Sequence, residues 1–214
     1  MMGVVIGDNL GMPVQFWSRE EIKEDPVISM RGYGTYNMPP GTWSDDSSMA
    51  IATLDSILKN HGIYFFMVKS ILDSKNSLLE RLQEGMKQAA EFYKKDISNL
   101  KEWSRYGRLE NLLKFAEVSE DEIRSTGYVV DTLEAAVWSL ITTSSLEEGL
   151  LKAVNLGDDT DTVGAVAGGL AGLYYGYDSI PNAWKEVIIK GDEIVEMCKM
   201  VDEEFEDINK EIEE

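Results

Sequence analysis

The stretch Asn155-Leu-Gly-Asp-Asp-Thr-Asp-Thr162 runs directly into Val163-Gly-Ala-Val-Ala-Gly-Gly-Leu-Ala-Gly172. Ser, Thr and Asp oxygens accept hydrogen bonds from the unpaired N–H groups of a helix start, so the first stretch predicts a helix N-terminus. The second stretch is so rich in Gly and Ala that another helix, or a ligand, could approach its backbone closely. This combination is consistent with a buried metal site at the centre of a helix bundle.

A second acidic stretch, Gly41-Thr-Trp-Ser-Asp-Asp-Ser-Ser48, leads into an apolar run from Met49 to Leu58. One such residue is enough for a cap, but the two stretches hold five aspartates, whose mutual repulsion is costly if they lie together without a cation. Carboxylates and hydroxyls without Cys or His favour magnesium, manganese or calcium over zinc. The alternative, a structural protein with acidic helix caps, predicts no tight divalent binding.

Apolar residues elsewhere recur mostly at three- and four-residue spacings, which is typical of amphipathic helices. We therefore predict an all-α protein, with helices over about 3–11, 46–60, 63–73, 76–95, 109–117, 129–142, 146–155, 161–176 and 182–212. The clearest loop is 31–41, because its three glycines and a Pro-Pro pair do not continue a helix. The last helix carries an apolar seam that we interpret as core packing: Ile194, Cys198, Val201, Phe205, Ile208 and Ile212.

Composition limits the classes of function. The chain has 214 residues, 43% of them hydrophobic and 28% charged, which fits one globular domain. Its 39 acidic residues outnumber 20 Lys and Arg, giving a net charge of −19 that repels phosphate backbones and anionic lipids. We therefore expect no nucleic-acid and no membrane partner. An anionic substrate would require a local site such as a bound metal ion.

The chain has one cysteine, Cys198, and one histidine, His61. One cysteine permits no internal disulfide, and one histidine permits no His-rich metal site. A zinc finger and a Ser-His-Asp triad are therefore poor interpretations of this chain. We interpret Cys198 as a core residue and His61 as a helix C-terminal residue without a catalytic role. The chain has no apolar run of about 18 residues and no basic start typical of a signal peptide, so a cytoplasmic protein is expected.

The two acidic stretches, together with Gly3-Val-Val-Ile-Gly-Asp-Asn-Leu-Gly-Met-Pro-Val-Gln-Phe16 and Gly127-Tyr-Val-Val-Asp-Thr-Leu-Glu-Ala-Ala-Val-Trp138, resemble the ADP-ribosylglycohydrolase family. The order and spacing within each stretch agree with that family. The resemblance implies a compact orthogonal helical bundle, built as a single domain over 1–214, with a central dinuclear metal site.

The resemblance also implies a chemistry. Two Mg²⁺ or Mn²⁺ ions would be held by ligands from both acidic stretches: Ser44, Asp45, Asp46, Asp159, Asp161 and Thr162. The implied reaction is hydrolysis of the N- or O-glycosidic bond between ADP-ribose, or a related ribosyl group, and an acceptor such as arginine. The implied substrate is an ADP-ribosylated protein or a small ADP-ribosyl compound. Gln15, Asn155 and Gly157 are the expected substrate-binding residues.

Two departures from the family pattern affect this expectation. Gln15 stands where family members commonly carry Glu, and an amide does not act as a carboxylate base. No catalytic group is therefore assigned beyond a metal-bound water. The family's central Gly-Asn-Gly and Met-Arg segment, which helps form its ADP-ribose pocket, is missing, and the middle of the chain (about 61–126) is short. The alternative is a catalytically weak or inactive metal-containing protein that binds ADP-ribose.

The middle of the chain contains a basic and aromatic group between Lys94 and Arg108. These side chains could contact a diphosphate or an adenine by charge and stacking. The favoured interpretation is a solvated helix face with Trp103 or Tyr106 packed inward.

Overall fold

The computed structural model describes residues 2–44 and 63–200. Within these ranges the chain forms helices and no β-strand, so the predicted all-α class is confirmed. The α-helices are α1 (Met2–Gly11), α2 (Arg19–Glu24), α3 (Ile63–Asp73), α4 (Leu78–Tyr93), α5 (Leu100–Trp103), α6 (Leu112–Phe115), α7 (Val129–Ile141), α8 (Leu146–Val154), α9 (Thr160–Tyr175) and α10 (Asn182–Val187). The predicted helix over 46–60 lies outside the described residues.

Helices α1 and α9 pack backbone to backbone along a line of glycines. A Cβ atom on Gly7 would lie 1.8 Å from the carbonyl oxygen of Gly164, and one on Gly3 would lie 2.1 Å from that of Gly168. A Cβ on Gly11 would likewise meet the carbonyl oxygen of Thr160 at 2.2 Å. Because each turn of α1 supplies a glycine, the two axes approach closely and bring the C-terminal end of α1 to the N-terminal start of α9.

Helix α7 forms the centre of the bundle and packs between α8 and α9. Eleven consecutive residues of this helix, from Val130 to Leu140, are buried. A helix that is apolar on most of its circumference requires neighbours on most sides. Two of its buried residues, Asp131 and Glu134, are nevertheless acids.

Serine capping boxes start two of the helices. Ser18 caps α2 with Glu21, and Ser77 caps α4 with Glu80. In each box the serine side chain accepts from the third helical N–H, while the glutamate accepts from the serine N–H. We did not predict α2, because Ile22 is its only buried residue and the helix lacks an apolar periodicity.

The predicted single helix over 182–212 is wrong in the part that the structure describes. α10 ends at Val187, and the chain is helical again only from 191 to 200. Ile189 instead donates its N–H to the Gly41 carbonyl at 2.9 Å and accepts from the Trp43 indole at 3.2 Å. Lys190 has φ of 60°, which completes the break. Residues 201–214 lie outside the description.

The segment between α4 and α7 is built from short pieces. The predicted helix over 109–117 is instead a 3₁₀ stretch, Ser104–Glu110, followed by the four-residue α6. Asn111 separates the two because it is extended and caps α6 by accepting from the Lys114 N–H. No helix in the described residues is long and apolar enough to cross a bilayer.

Candidate active site

The start of α9 presents the predicted ligands Asp159, Asp161 and Thr162 together. The Thr162 hydroxyl donates to Asp159 Oδ1 at 3.0 Å, and the Thr162 N–H donates to Asp161 Oδ1 at 2.9 Å. The Asp161 side chain is buried at the first turn, where a carboxylate also faces the positive end of the helix dipole. Local hydrogen bonds made by Thr162 therefore hold these oxygens together at one helix end.

Gln15 lies against this cluster. Its amide Nε2 donates to Asp159 Oδ1 at 3.4 Å, and its Oε1 accepts from the Tyr36 hydroxyl at 2.5 Å. Thr35 fixes the same residue by donating from its hydroxyl to the Gln15 carbonyl at 2.9 Å. The loop over 31–41 therefore holds Gln15 with its amide nitrogen toward the carboxylate. The structure brings together residues that are 144 positions apart.

Ser44 is fixed to α1 through Asp8. The Ser44 N–H donates to Asp8 Oδ2 at 3.0 Å, and the Asn9 amide donates to the Thr42 carbonyl. Asp8 and Asn9 are fully buried. Within the described residues, Asn9 Oδ1 and Thr42 Oγ1 are buried without a hydrogen-bond partner. These two oxygens lie at the start of the acidic stretch 41–48.

Asp8 and Asn9 were not among the predicted site residues. The signal was available, because a charged residue interrupts the apolar run of α1 at a position that helical spacing would bury. The predicted ligands Asp45 and Asp46 follow Ser44 directly and lie outside the described residues, as does His61. In the ranges 2–44 and 63–200, no three acidic, His or Cys side chains form a group that could hold a metal ion.

A two-way backbone bridge joins the Gln15 segment to the loop before α9. Phe16 N donates to the Asp158 carbonyl at 2.8 Å, and Asp158 N donates to the Trp17 carbonyl at 2.9 Å. Phe16 and Asp158 both have left-handed backbones, with φ of 70° and 60°. Such conformations cost about 1–3 kcal/mol each and cluster at functional sites. The bridge keeps Gln15 and Asp159 at a fixed separation.

Asn155 and Gly157 have clear structural contacts. The Asn155 side chain accepts from the Val27 N–H at 2.8 Å and donates to the Val27 carbonyl at 2.9 Å. Gly157 has φ of 86°, and a Cβ there would lie 3.0 Å from Arg19 N. Both residues shape the loop that carries Asp158 and Asp159, and their contact with substrate stays a prediction.

The favoured interpretation of the Lys94–Arg108 region is confirmed for its aromatic residues, since Trp103 and Tyr106 are both buried. Cys198 is partly buried and packs against the core, as interpreted.

Comparison with known proteins identifies the family of this chain. The model of the ADP-ribosylglycohydrolase family matches residues 1–65 and 61–211. The chain therefore belongs to the ADP-ribosylglycohydrolase family, whose characterised relatives are enzymes that cleave glycosidic bonds of ADP-ribose. The two matched ranges overlap at residues 61–65.

Among its relatives is the ADP-ribosylarginine hydrolase Tri1 of Serratia proteamaculans (strain 568), 25% identical over 285 aligned positions that cover 94% of this chain and 77% of that protein. The Tri1 protein of Pseudomonas putida (strain GB-1) is 42% identical over 42% of this chain and 24% of its own length. The ADP-ribosyl-[dinitrogen reductase] glycohydrolase of Rhodospirillum rubrum is 43% identical over 28% of this chain and 21% of its own length.

A solved structure described as an ADP-ribosylglycohydrolase-related protein complex superposes with a TM-score of 0.56 at 24% identity. The match covers 90% of this chain and 91% of that chain. The predicted fold type is therefore confirmed.

Proposed function

We propose that the chain is a metal-dependent hydrolase that cleaves the bond between ADP-ribose, or a related ribosyl group, and an acceptor such as an arginine side chain. The observation that carries this proposal is the set of hydrogen-bond donors around the Asp159 carboxylate. This carboxylate accepts from a neutral hydroxyl and a neutral amide, Thr162 and Gln15. Among residues 2–44 and 63–200, no cationic side chain forms an ion pair with Asp159, and such a carboxylate suits a divalent ion.

The donor chemistry fits two Mg²⁺ or Mn²⁺ ions. The proposed ligands are Ser44, Asp45, Asp46, Asp159, Asp161 and Thr162, all of which offer oxygen, the atom that hard cations prefer. The buried unmatched oxygens of Asn9 and Thr42 support a polar centre at this end of α1. When bound, the ions supply positive charge that orients ribose hydroxyls and activates a water.

The residues of the chain position these parts. Tyr36 orients the Gln15 amide, and Gln15 in turn donates to Asp159, so the carboxylate keeps one rotamer. The Phe16–Asp158 bridge fixes the same geometry through the backbone. The glycine-lined contact of α1 with α9 holds the two helix ends together on the buried side of the site. This preorganised arrangement holds the ribose end of the substrate in place.

A second candidate is a metal-containing protein that binds ADP-ribose and turns it over slowly or not at all. The observation that favours it is Gln15, whose amide is engaged at both ends and does not accept a proton as a carboxylate would. The whole-chain charge disfavours a nucleic-acid or membrane partner in either case. The proposed compartment is the cytoplasm, because one cysteine permits no internal disulfide.

The first experiment measures release of ADP-ribose from an arginine-ADP-ribosylated protein by mass spectrometry, with Mg²⁺ or Mn²⁺ and with EDTA as control. We expect release that stops on chelation. No release, while calorimetry still detects Mn²⁺ binding, would favour the binding protein. If the chain neither releases ADP-ribose nor binds Mn²⁺, both proposals are rejected.

The variant Gln15→Glu distinguishes the two candidates. General acid–base catalysis contributes roughly 10²- to 10⁴-fold, so a rate gain of that order would identify the natural chain as a weakened enzyme. Gln88→Glu on α4 makes the same chemical change next to Glu84, away from the site, and is expected to leave the rate unchanged. If the natural chain already hydrolyses the substrate and Gln15→Glu does not raise the rate, the chemistry is assigned to the other proposed ligands.

A further inference from the structure

Three of the six arginines of the chain lie around the start of α7: Arg105, Arg108 and Arg124. Each is tied there by a described contact. Arg108 donates to Glu134 at 2.8 Å, Arg124 lies 3.1 Å from Asp131, and Arg105 donates to the Tyr128 hydroxyl at 2.6 Å. In a chain with a net charge of −19, this is a local concentration of guanidinium groups.

The carboxylates that hold Arg108 and Arg124 are buried, whereas the two arginines are exposed. The side chain of Asp131 is 9% exposed and that of its partner Arg124 is 71% exposed. Glu134 and Arg108 show the same arrangement, with 6% and 39%. Arg108 is also anchored by the ring of Phe115, 5.1 Å from its guanidinium. The buried acids therefore anchor Arg108 and Arg124 while much of each side chain, above all that of Arg124, lies at the surface.

This surface borders the candidate active site. A Cβ on Gly127 would lie 2.9 Å from Asp159 Oδ2, and the Asp159 N–H donates to the Ser125 carbonyl at 3.0 Å. The next residue, Tyr128, is exposed and accepts from Arg105. The segment 125–128 therefore lies between the carboxylate at the start of α9 and the arginines.

An acidic turn, Glu120–Glu122, also lies close to this group. Arg108 and Arg19 meet it through its main-chain oxygens, by donating to the carbonyls of Glu122 and Glu120. Lys23 lies 3.7 Å from the carboxylate of Asp121. The turn is thus held by its own cationic contacts.

We propose that Arg105 and Arg124, with Arg108 between them in the sequence, bind the diphosphate of an ADP-ribosyl substrate whose ribose end lies at Asp159. Guanidinium groups present paired N–H donors that match phosphate oxygens. The remainder of the strongly acidic molecule repels such an anion, so a phosphate group is favoured where the guanidinium edges face outward. This assignment rests on the proposed function, since it names the part of the chain that receives the anionic half of that substrate.

The test is calorimetric titration of ADP-ribose in MgCl₂ at two salt concentrations, with the full chain and the variants Arg105→Gln and Arg124→Gln. We expect about 5- to 10-fold weaker binding for each variant, because each loses a charged hydrogen-bond donor to phosphate whose effect is reduced by solvent screening. The loss should shrink at high salt. ADP lacks the second ribose but keeps the diphosphate. If the arginines contact the diphosphate, each variant should bind ADP more weakly than the natural chain does, by the same factor as for ADP-ribose.

Lys69→Gln and Lys87→Gln serve as matched controls, since both remove one exposed, ion-paired cation from α3 or α4. They should change affinity less than 2-fold. Arg124→Lys keeps the charge but loses the paired donors, and should fall between wild type and Arg124→Gln if the variant proteins melt alike. Tight ADP-ribose binding that is equal in the arginine variants and the lysine controls overturns the diphosphate site and leaves the proposed function intact.

The absence of ADP-ribose binding to the natural chain, with Mn²⁺ binding intact, would instead reject the proposed function. The ADP titration then decides the site by itself. Arginine-dependent binding of ADP would retain a diphosphate site, and equal or absent binding would reject it.

Discussion

The starts of α7 and α9 both carry aspartate in the first turn, but the two helices neutralise their acids differently. At α7, Asp131 and Glu134 are each paired with a guanidinium group. At α9, Asp159 accepts from a neutral amide and a neutral hydroxyl. Where the fold supplies a counter-charge, a carboxylate serves as an anchor. Where the described part of the fold supplies neutral donors, as at Asp159, a carboxylate is suited to an ion from outside.

Helix α9 packs against both α1 and α7, so breaking its contact with α1 should have the largest effect. In Gly7→Val, the new side chain would overlap the Gly164 carbonyl, whose oxygen lies 1.8 Å from the Cβ position. We expect a loss of more than about 4 kcal/mol in the free energy of unfolding, or no folded protein, since overpacking against rigid backbone has no cheap relaxation. Urea unfolding followed by circular dichroism measures it.

Gly107→Ala is the control, because nothing lies within 4 Å of a Cβ at that position. It should be neutral or stabilise by up to about 1 kcal/mol. A well-folded Gly7→Val protein of unchanged stability would contradict the backbone-to-backbone contact.

Removing one acid from each helix start sharpens the comparison. We expect Asp159→Asn to weaken Mn²⁺ binding by at least about 100-fold, since even groups that only support metal ligands contribute roughly 10- to 100-fold. Asp131→Asn should leave Mn²⁺ affinity within about 2-fold and lower stability instead, because its partners Arg124 and Thr126 lose a charged acceptor. Isothermal titration and thermal melting separate the two outcomes. Equal Mn²⁺ affinity in both variants would contradict the assignment of a metal-binding role to Asp159 and a structural role to Asp131.

The pair of Arg108 and Glu134 should contribute an intermediate effect on stability. Arg108→Met leaves a buried carboxylate without its cation, and we expect a loss of about 1–2 kcal/mol, below the 3–5 kcal/mol of fully buried pairs because Arg108 is partly exposed. The double variant with Glu134→Gln should recover part of that loss. A double-mutant cycle by urea unfolding measures the coupling, and strict additivity would show that the pair does not interact.

The pH dependence of stability should show the smallest effect. Burial raises the pKa of Glu134 above its ordinary value, although Arg108 opposes the shift. The stability from this group is therefore full below the ordinary pKa of glutamate and falls as the pH rises through the raised pKa. Glu134→Gln removes that fall, so its stability relative to wild type should increase from acidic to neutral pH, by about 1 kcal/mol or less.

Glu110 provides the opposite case for the same titration. The hydrogen bond from the Trp103 indole lowers the pKa of Glu110, with a smaller contribution from Lys94. Its stabilisation is present above the ordinary pKa and is lost as the pH falls through the lowered value. Glu110→Gln should therefore lose stability relative to wild type as the pH rises, the reverse of Glu134→Gln. The same slope in both variants would contradict these assignments.

The regular helices could be predicted because their local signals agree. α4 has a serine capping box and an apolar stripe, and α8 has a serine cap and an apolar face, so their bounds fall close to those predicted. The prediction of one continuous helix over 182–212 failed at residues 188–190. The helix breaks there because of hydrogen bonds to residues 41–43, almost 150 positions away. Nothing within the local sequence signals such a partner.

The sequence by itself determined the helical class, the acidic start of α9 and the glycines that permit close helix packing, because these follow from periodicity, capping and side-chain size. The tertiary structure decided which groups meet there. It placed Gln15 on Asp159 and Tyr36 on Gln15, buried Asp8 and Asn9 beside Ser44, and set Gly127 against the Asp159 carboxylate. Such contacts join residues far apart in the chain, and their distances are set by how the helices pack.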